Sequence, residues 1–241
     1  MEEIVGADRP IDARHRLAAA TRTIIDELVR STAPDAELEA AATLVEQAIA
    51  GLAGRAHGRN YEGAAEGSLA RLATLGRRSR SLEESHGFVE FSPFMGLLNP
   101  LAPPLELRVG TAEVVATATY GSAYEGPPGC LHGGFIAAGF DEVLGFAQAL
   151  SGQTGMTGRL EVSYRSPTPL HREVRYVGRY ERTEGRKVFT HATLSAGDTL
   201  CAEASGVFIA IKPGVFERLL QMRLGEAQPE EASGGGEASP A

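Results

Sequence analysis

Residues 126–145 read Gly126-Pro-Pro-Gly-Cys-Leu-His-Gly-Gly-Phe-Ile-Ala-Ala-Gly-Phe-Asp-Glu-Val-Leu-Gly145, and they hold the side chains best able to do chemistry. Two prolines between glycines set a turn, and from about Gly133 the pattern becomes helical. A helix start offers free backbone N–H donors and the positive end of the macrodipole. Gly133 and Gly134 carry no side chains, so a ligand oxygen can come close to those donors, as in an oxyanion hole. The same glycines equally suit a turn that lets the helix pack tightly. Phe135, Ile136, Phe140, Val143 and Leu144 leave no polar stripe, which is how a fully buried helix reads. Asp141 and Glu142 are its only charges, and a buried carboxylate is costly unless it is paired or used.

Spacing then constrains the chemistry. Asp141 follows His132 by nine residues, about 13.5 Å at ~1.5 Å per residue. One substrate carbonyl therefore cannot touch both Gly133 and Asp141 of the same helix. If the two cooperate, a second subunit supplies one of them, and a twofold dimer with antiparallel central helices yields two equivalent sites. His132 either orients the loop by hydrogen bonding or acts as a base, with Asp141 the better-placed base in an intersubunit site. Cys130 sits where a helix start lowers a thiol's pKa, but no base is placed for it, and a small packed cysteine accounts for it as well. Glu142 lies about 100° around the helix from Asp141 and reads as structural. Thr157, at the start of the next strand, offers a hydroxyl able to hold a water near a carboxylate.

The rest of the chain must position these groups. With 241 residues and a formal charge of −8, it has room for a large domain and is not a general nucleic-acid binder. The acidic start Met-Glu-Glu-Ile-Val is unlike a signal peptide, and no apolar run reaches the ~18–20 residues of a membrane span. Two cysteines, Cys130 and Cys201, supply neither a disulfide framework nor zinc-ligand spacing. A soluble cytoplasmic protein is expected, with no metal. Residues 1–56 read as a helical hairpin extension: Leu17, Ile24, Ile25 and Leu28 share one face, and Leu38, Ala41, Val45, Ala48, Ile49 and Leu52 another. Residues 57–87 read as a Gly-, Ala- and Arg-rich linker, with Arg77, Arg78 and Arg80 solvated rather than phosphate-binding, and with no role for His57 or His86. From Phe88 the pattern turns to strands: 88–91, 105–109, 112–120, then after the helix 160–165, 174–180, 187–195 and 200–211. Consecutive strands with tight turns predict an antiparallel meander wrapped around the one buried helix, an α+β fold over residues 88–212. Residues 213–241 read as a short helix and a disordered acidic tail.

Taken together, His132-Gly133-Gly134, Asp141-Glu142, Gly145, Met156-Thr157 and the strand from Leu160 to Leu170 resemble the hotdog-fold acyl-CoA thioesterases, in the branch of the phenylacetate-pathway thioesterases. The resemblance covers roughly residues 88–211. It implies a hotdog fold, dimerised so that the site lies between subunits. It also implies that Asp141 activates water or attacks directly, that Thr157 helps position the water, that the Gly133 N–H polarises the thioester carbonyl, and that His132 orients the loop. The sequence departs from the family in one place: several members carry Asn or Gln shortly before the histidine, and the stretch Tyr124 to Gly129 has neither.

Coenzyme A is polyanionic, and residues 158–187 hold eight bases, among them Arg159, against four acids, a net +4 within a chain at −8. The reading is an acyl-CoA thioesterase that takes an acyl-CoA substrate and needs no metal or cofactor. Asp141, Gly133, Thr157 and His132 are its catalytic candidates, and Gly134 and Arg159 its substrate-binding ones. A homodimer is expected, or a tetramer of such dimers, with no nucleic-acid or membrane partner. The alternative is a non-catalytic acyl-CoA-binding or scaffold dimer, favoured by the missing amide and disfavoured by the retained carboxylate. A hotdog hydratase would need a His–acid pair that is absent here.

Overall fold

A computed structural model describes residues 3–5, 12–53, 90–103, 105–153, 155–211 and 215. The chain divides into two compact units, residues 1–211 and 212–241. Of the second, only Val215 is described, and it is helical; the expected acidic tail and the 57–87 linker lie outside the described residues.

The first unit begins with a three-residue strand, β1 (Glu3–Val5), followed by helices α1 (Ala13–Arg30) and α2 (Asp35–Leu52). After a looped segment come β2 (Glu106–Val109) and β3 (Val114–Thr119), then the central helix α3 (Gly133–Ala149). Four strands complete it: β4 (Gly155–Tyr164), β5 (Glu173–Glu184), β6 (Lys187–Ala196) and β7 (Thr199–Ala210). All pair antiparallel in one seven-stranded sheet of order β1-β2-β3-β5-β6-β7-β4. The meander expected from sequence holds for β5–β6–β7, where Gly185 (φ 59°) and Gly197 (φ 57°) occupy left-handed turn positions that favour glycine. It fails at β4, which pairs with β7 rather than β5 and forms one edge of the sheet. The expected strand at 88–91 does not form at its described end. Glu90 and Phe91 are in a turn, where the Glu90 carbonyl accepts from the Leu98 N–H at 2.9 Å and the Phe91 carbonyl from Asn99 at 3.1 Å.

The sheet packs on α3 through alternate residues of its strands. Phe140, Val143, Leu144 and Ala147 are fully buried against Val174, Tyr176, Ala192 and Phe208. Phe140 meets Tyr176 edge-on with ring centroids 5.2 Å apart. The Tyr176 and Tyr120 hydroxyls pair at 3.1 Å beneath the helix, and burial pushes Tyr120 up to about 12. Gly139 permits this approach: a Cβ there would stand 2.5 Å from the Tyr176 hydroxyl.

One expectation about α3 is corrected. The helix is not buried on all sides, because the sheet covers one face only. On the other, His132, Gly134 and Asp141 are exposed and Ala137, Ala138 and Gly145 are half-buried. The uniform apolarity that reads as full burial comes partly from these small residues, which a single chain leaves open.

The N-terminal helices also differ from the expected hairpin. Asp12 caps α1, its carboxylate accepting from the Arg14 and His15 N–H groups at 2.9 and 3.0 Å. The helix docks through buried Ala18 and through Arg22, whose guanidinium donates to the carbonyls of Ala102 (2.7 Å) and Asn99 (3.0 Å). Asp26 accepts from the Ala123 N–H at 3.0 Å. By contrast, α2 has no buried residue, and the two helices do not pack along each other.

Candidate active site

The turn before α3 is tied down on both sides. Leu131 N–H donates to the Thr168 carbonyl at 2.8 Å and His132 N–H to the Tyr124 carbonyl at 2.9 Å. The Glu125 carboxylate accepts from the N–H of Gly129 (2.5 Å), which sits at φ 72°. Where relatives of the resembled family carry an amide, this chain thus has a carboxylate already engaged in its own turn.

His132 is the N-cap of α3, and its Nδ1 accepts from the Gly134 N–H at 3.0 Å. That bond fixes Nδ1 as the unprotonated nitrogen and orients the ring, so loop orientation is what the geometry displays. The Phe135 and Ile136 N–H groups both donate to the His132 carbonyl, at 3.0 and 3.3 Å. Several free donors were expected at this helix start. Among the described residues, only the Gly133 N–H in the first turn lacks a partner. Gly134 cannot offer its N–H to a substrate, since His132 holds it; what its missing Cβ provides is room for the imidazole, which would stand 3.1 Å away.

Asp141 projects from the open face of α3, and Thr157 Oγ1 on β4 donates to its Oδ1 at 2.8 Å. The pairing depends on a β-bulge between Thr157 and Arg159. Beyond the bulge, Leu160 and Val162 pack on the core, so even-numbered residues face α3, whereas before it the odd-numbered Thr157 does. The bulge sets Arg159 on the outer face, where it pairs with Glu161 in a strongly exposed contact. Arg159, expected to bind substrate, thus lies on the face opposite Thr157.

Much of the basic segment is neutralised in the same way. Arg165 pairs with Glu203, Arg179 with Glu113, and Arg182 with Glu181 and Glu184, while Arg186 donates to the Ala210 carbonyl. Glu203 and Glu113 lie outside the window in which the sequence excess was counted, so the patch is weaker than its composition. Cys130 is half-buried and free, and among the described residues no group of His, Cys, Asp and Glu is placed to hold a metal.

Two participants had no clear sequence signal. The Tyr164 hydroxyl donates to the Gly133 carbonyl at 2.9 Å, and its ring lies where a Cβ on Gly133 would meet it at 3.2–3.4 Å. Strand alternation places Tyr164 on the α3 face, but only the fold reveals that it ends at the helix start. Glu142 turns away from Asp141 into the protein, where Ser92 donates to its Oε1 at 3.0 Å and burial holds its carboxyl above the usual range. Ser92 also accepts from the Phe94 and Met95 N–H groups, at 3.1 and 3.2 Å. The structural reading of Glu142 thus acquires content: it anchors the 92–103 loop to the helix that carries Asp141.

Residues 128–203 match the family model of the thioesterase superfamily. Over this segment, about a third of its length, the chain is similar to that superfamily. The segment takes in α3, β4 with its bulge, β5 and β6, so Gly133, Asp141 and Thr157 all lie inside it. Ser92, α1 and α2 lie outside. Among curated relatives, acyl-coenzyme A thioesterase THEM4 of Xenopus laevis is 39% identical over 95 residues, 39% of this chain and 43% of the relative. The Mus musculus THEM4 protein is 34% identical over 137 residues, 56% of this chain and 54% of the relative. The chain thus spans about half the length of the curated relatives it matches. A solved thioesterase superfamily protein superposes with a TM-score of 0.68 at 29% identity, over 86% of this chain and 99% of its own. The fold is the hotdog fold of this superfamily, and the likeness is too extensive to be confined to residues 88–211.

Proposed function

We propose that this domain hydrolyses acyl-CoA thioesters, R–CO–S–CoA and water giving the free acid and coenzyme A thiol, at a site shared by two copies of the chain. The observation that carries the reading is the 2.8 Å bond from Thr157 to Asp141 on the open face of α3. It holds Oδ1, leaving Oδ2 to take a proton from water or to attack the carbonyl carbon. Gly133 supplies a single N–H for the oxygen on which charge develops. Their separation of eight positions, about 12 Å along the helix, keeps one chain from using both on one carbonyl. A second copy laid antiparallel across the small residues Ala137, Ala138 and Gly145 brings Asp141 to the partner subunit's Gly133. The names of the curated relatives support the acyl-CoA substrate.

The test is thiol release from short, aromatic, medium and long acyl-CoAs, with Asp141→Asn beside the wild type. Turnover should fall by about 10²- to 10⁴-fold in the variant, with the dimer retained. A variant that keeps near-wild-type turnover removes Asp141 from the mechanism.

A further inference from the structure

The helical extension shows two unused faces that match each other. On α1, the side away from the body carries Ala13, Leu17, Ala20, Ile24 and Leu28 at spacings of three and four residues. On α2, Leu38, Ala41, Val45, Ala48 and Leu52 repeat in the same way. Heptad spacing holds from Ala13 to Ile24 and from Leu38 to Leu52, and both faces are exposed: Leu28 is 64% exposed and Leu52 56%. They are nearly equal in length, about 21–22 Å at ~1.5 Å per residue. A groove of about 760 Å³ flanks α1, reaching from Ala13, Leu17 and Ala20 of this face round to Arg22 and Leu97 at the body. An isolated helix of 18 residues gains little from propensity alone, so α2 needs a surface on which to lay its apolar face.

Charge selects the surface and its direction. In α2 the residues Asp35, Glu37, Glu39 and Glu46 are unopposed by any base, whereas α1 holds Arg14, Arg16, Arg22 and Arg30 against Asp26 and Glu27. Folding α2 back on its own α1 would be antiparallel, bringing the acidic start of α2 beside the last turn of α1. There Arg30 is already paired with Glu27 and Asp26. The parallel alignment with like seam positions level sets Asp35 and Glu37 beside Arg14 and Arg16, and aligns Leu17 with Leu38 and Ala20 with Ala41. A parallel pair within one chain is out of reach. The chain would have to return about 27 Å along an 18-residue helix, and residues 31–34 stretch to about 14 Å.

We infer that α2 is an exchanged arm: the α2 helix of each copy lies parallel in the α1 groove of a second copy. This goes beyond the hydrolase reading and does not depend on it, since thiol release can be measured on the same preparations whatever the arms do.

The test uses the full-length chain. Ala20→Cys protein is mixed with Ala41→Cys protein and oxidised with oxidised glutathione, with the wild type controlling for Cys130 and Cys201. The expected product is a covalent dimer holding one chain of each kind, formed only in the mixture. A second variant carries Leu17→Cys and Ala48→Cys together, positions that meet only in the antiparallel hairpin. A link within one chain of that variant overturns the inference, and so does the absence of a mixed dimer in the first experiment.

Discussion

Replacing Thr157 by valine probes the candidate site at its most specific contact. Valine keeps the branched shape that suits a strand and removes only the hydroxyl, which donates to Asp141 Oδ1 at 2.8 Å. Thr157 is exposed on an edge strand, so the substitution leaves no cavity and should leave the unfolding midpoint unchanged. A hydrogen bond to a charged acceptor contributes ~1.5–3 kcal/mol where water is excluded. The pair is open to solvent in the single chain, and discounting for that gives on the order of 1–2 kcal/mol, roughly 5- to 30-fold in kcat. The loss should fall on kcat and leave KM nearly unchanged, because the bond orients a reacting group rather than holding the substrate. The assay is steady-state thiol release on the best acyl-CoA of the panel. An unchanged kcat, or a rise in KM alone, would refute the argument that this bond sets the carboxylate for reaction.

Two other substitutions test the frame around the site. Burial holds the Glu142 carboxyl above its ordinary 4.5, so the folded chain binds that proton more tightly than the unfolded one. The corresponding stability is fully present below that ordinary value and is lost as pH rises through the raised folded value. Glu142→Gln cannot titrate and can still accept from Ser92, so its Tm relative to wild type should climb as pH rises from the ordinary 4.5 through the raised folded value; a difference flat in pH would contradict this. Gly139→Ala would put a Cβ 2.5 Å from the Tyr176 hydroxyl and 2.8 Å from its ring carbon. Overpacking of ~1–3 kcal/mol against a helix-propensity gain of ~1 kcal/mol leaves a net loss, seen as a Tm lower by roughly 2–4 °C; a Tm at or above wild type would show that the tyrosine pair yields without cost.

What the sequence made legible follows from which contacts are local. The strands β5, β6 and β7 alternate because one face is buried and the other wet, and both hairpins between them are marked by glycines. The candidate pair of Asp141 and Thr157, sixteen residues apart, was readable as a motif. Less legible was everything that depends on which element lies beside which. The place of β4 next to β7 could not be read from its own residues, and its first half, Gly155 to Gly158, carries no alternation because it is an exposed edge. β1 is too short for any period to register. The apolar faces of α1 and α2 suggested a hairpin, yet a stripe records that something covers it and not what does. Tyr164 and Ser92 act through contacts 31 and 50 residues away, a separation at which residue type alone is silent.

The bulge in β4 works as a frame shift. On the Leu160 side, the strand is read in one phase, and Leu160, Val162 and Tyr164 face the helix; on the other side it is read in the opposite phase, and Thr157 does. Removing one residue there would restore an uninterrupted ladder and leave the core-facing half in place. The same deletion would turn the hydroxyl outward and present Met156 to Asp141 in its stead. A single-codon change of that kind would look harmless by every measure of folding and would erase the pairing on which the candidate chemistry rests. The irregularity is therefore the part of the strand least free to be tidied, by drift or by design.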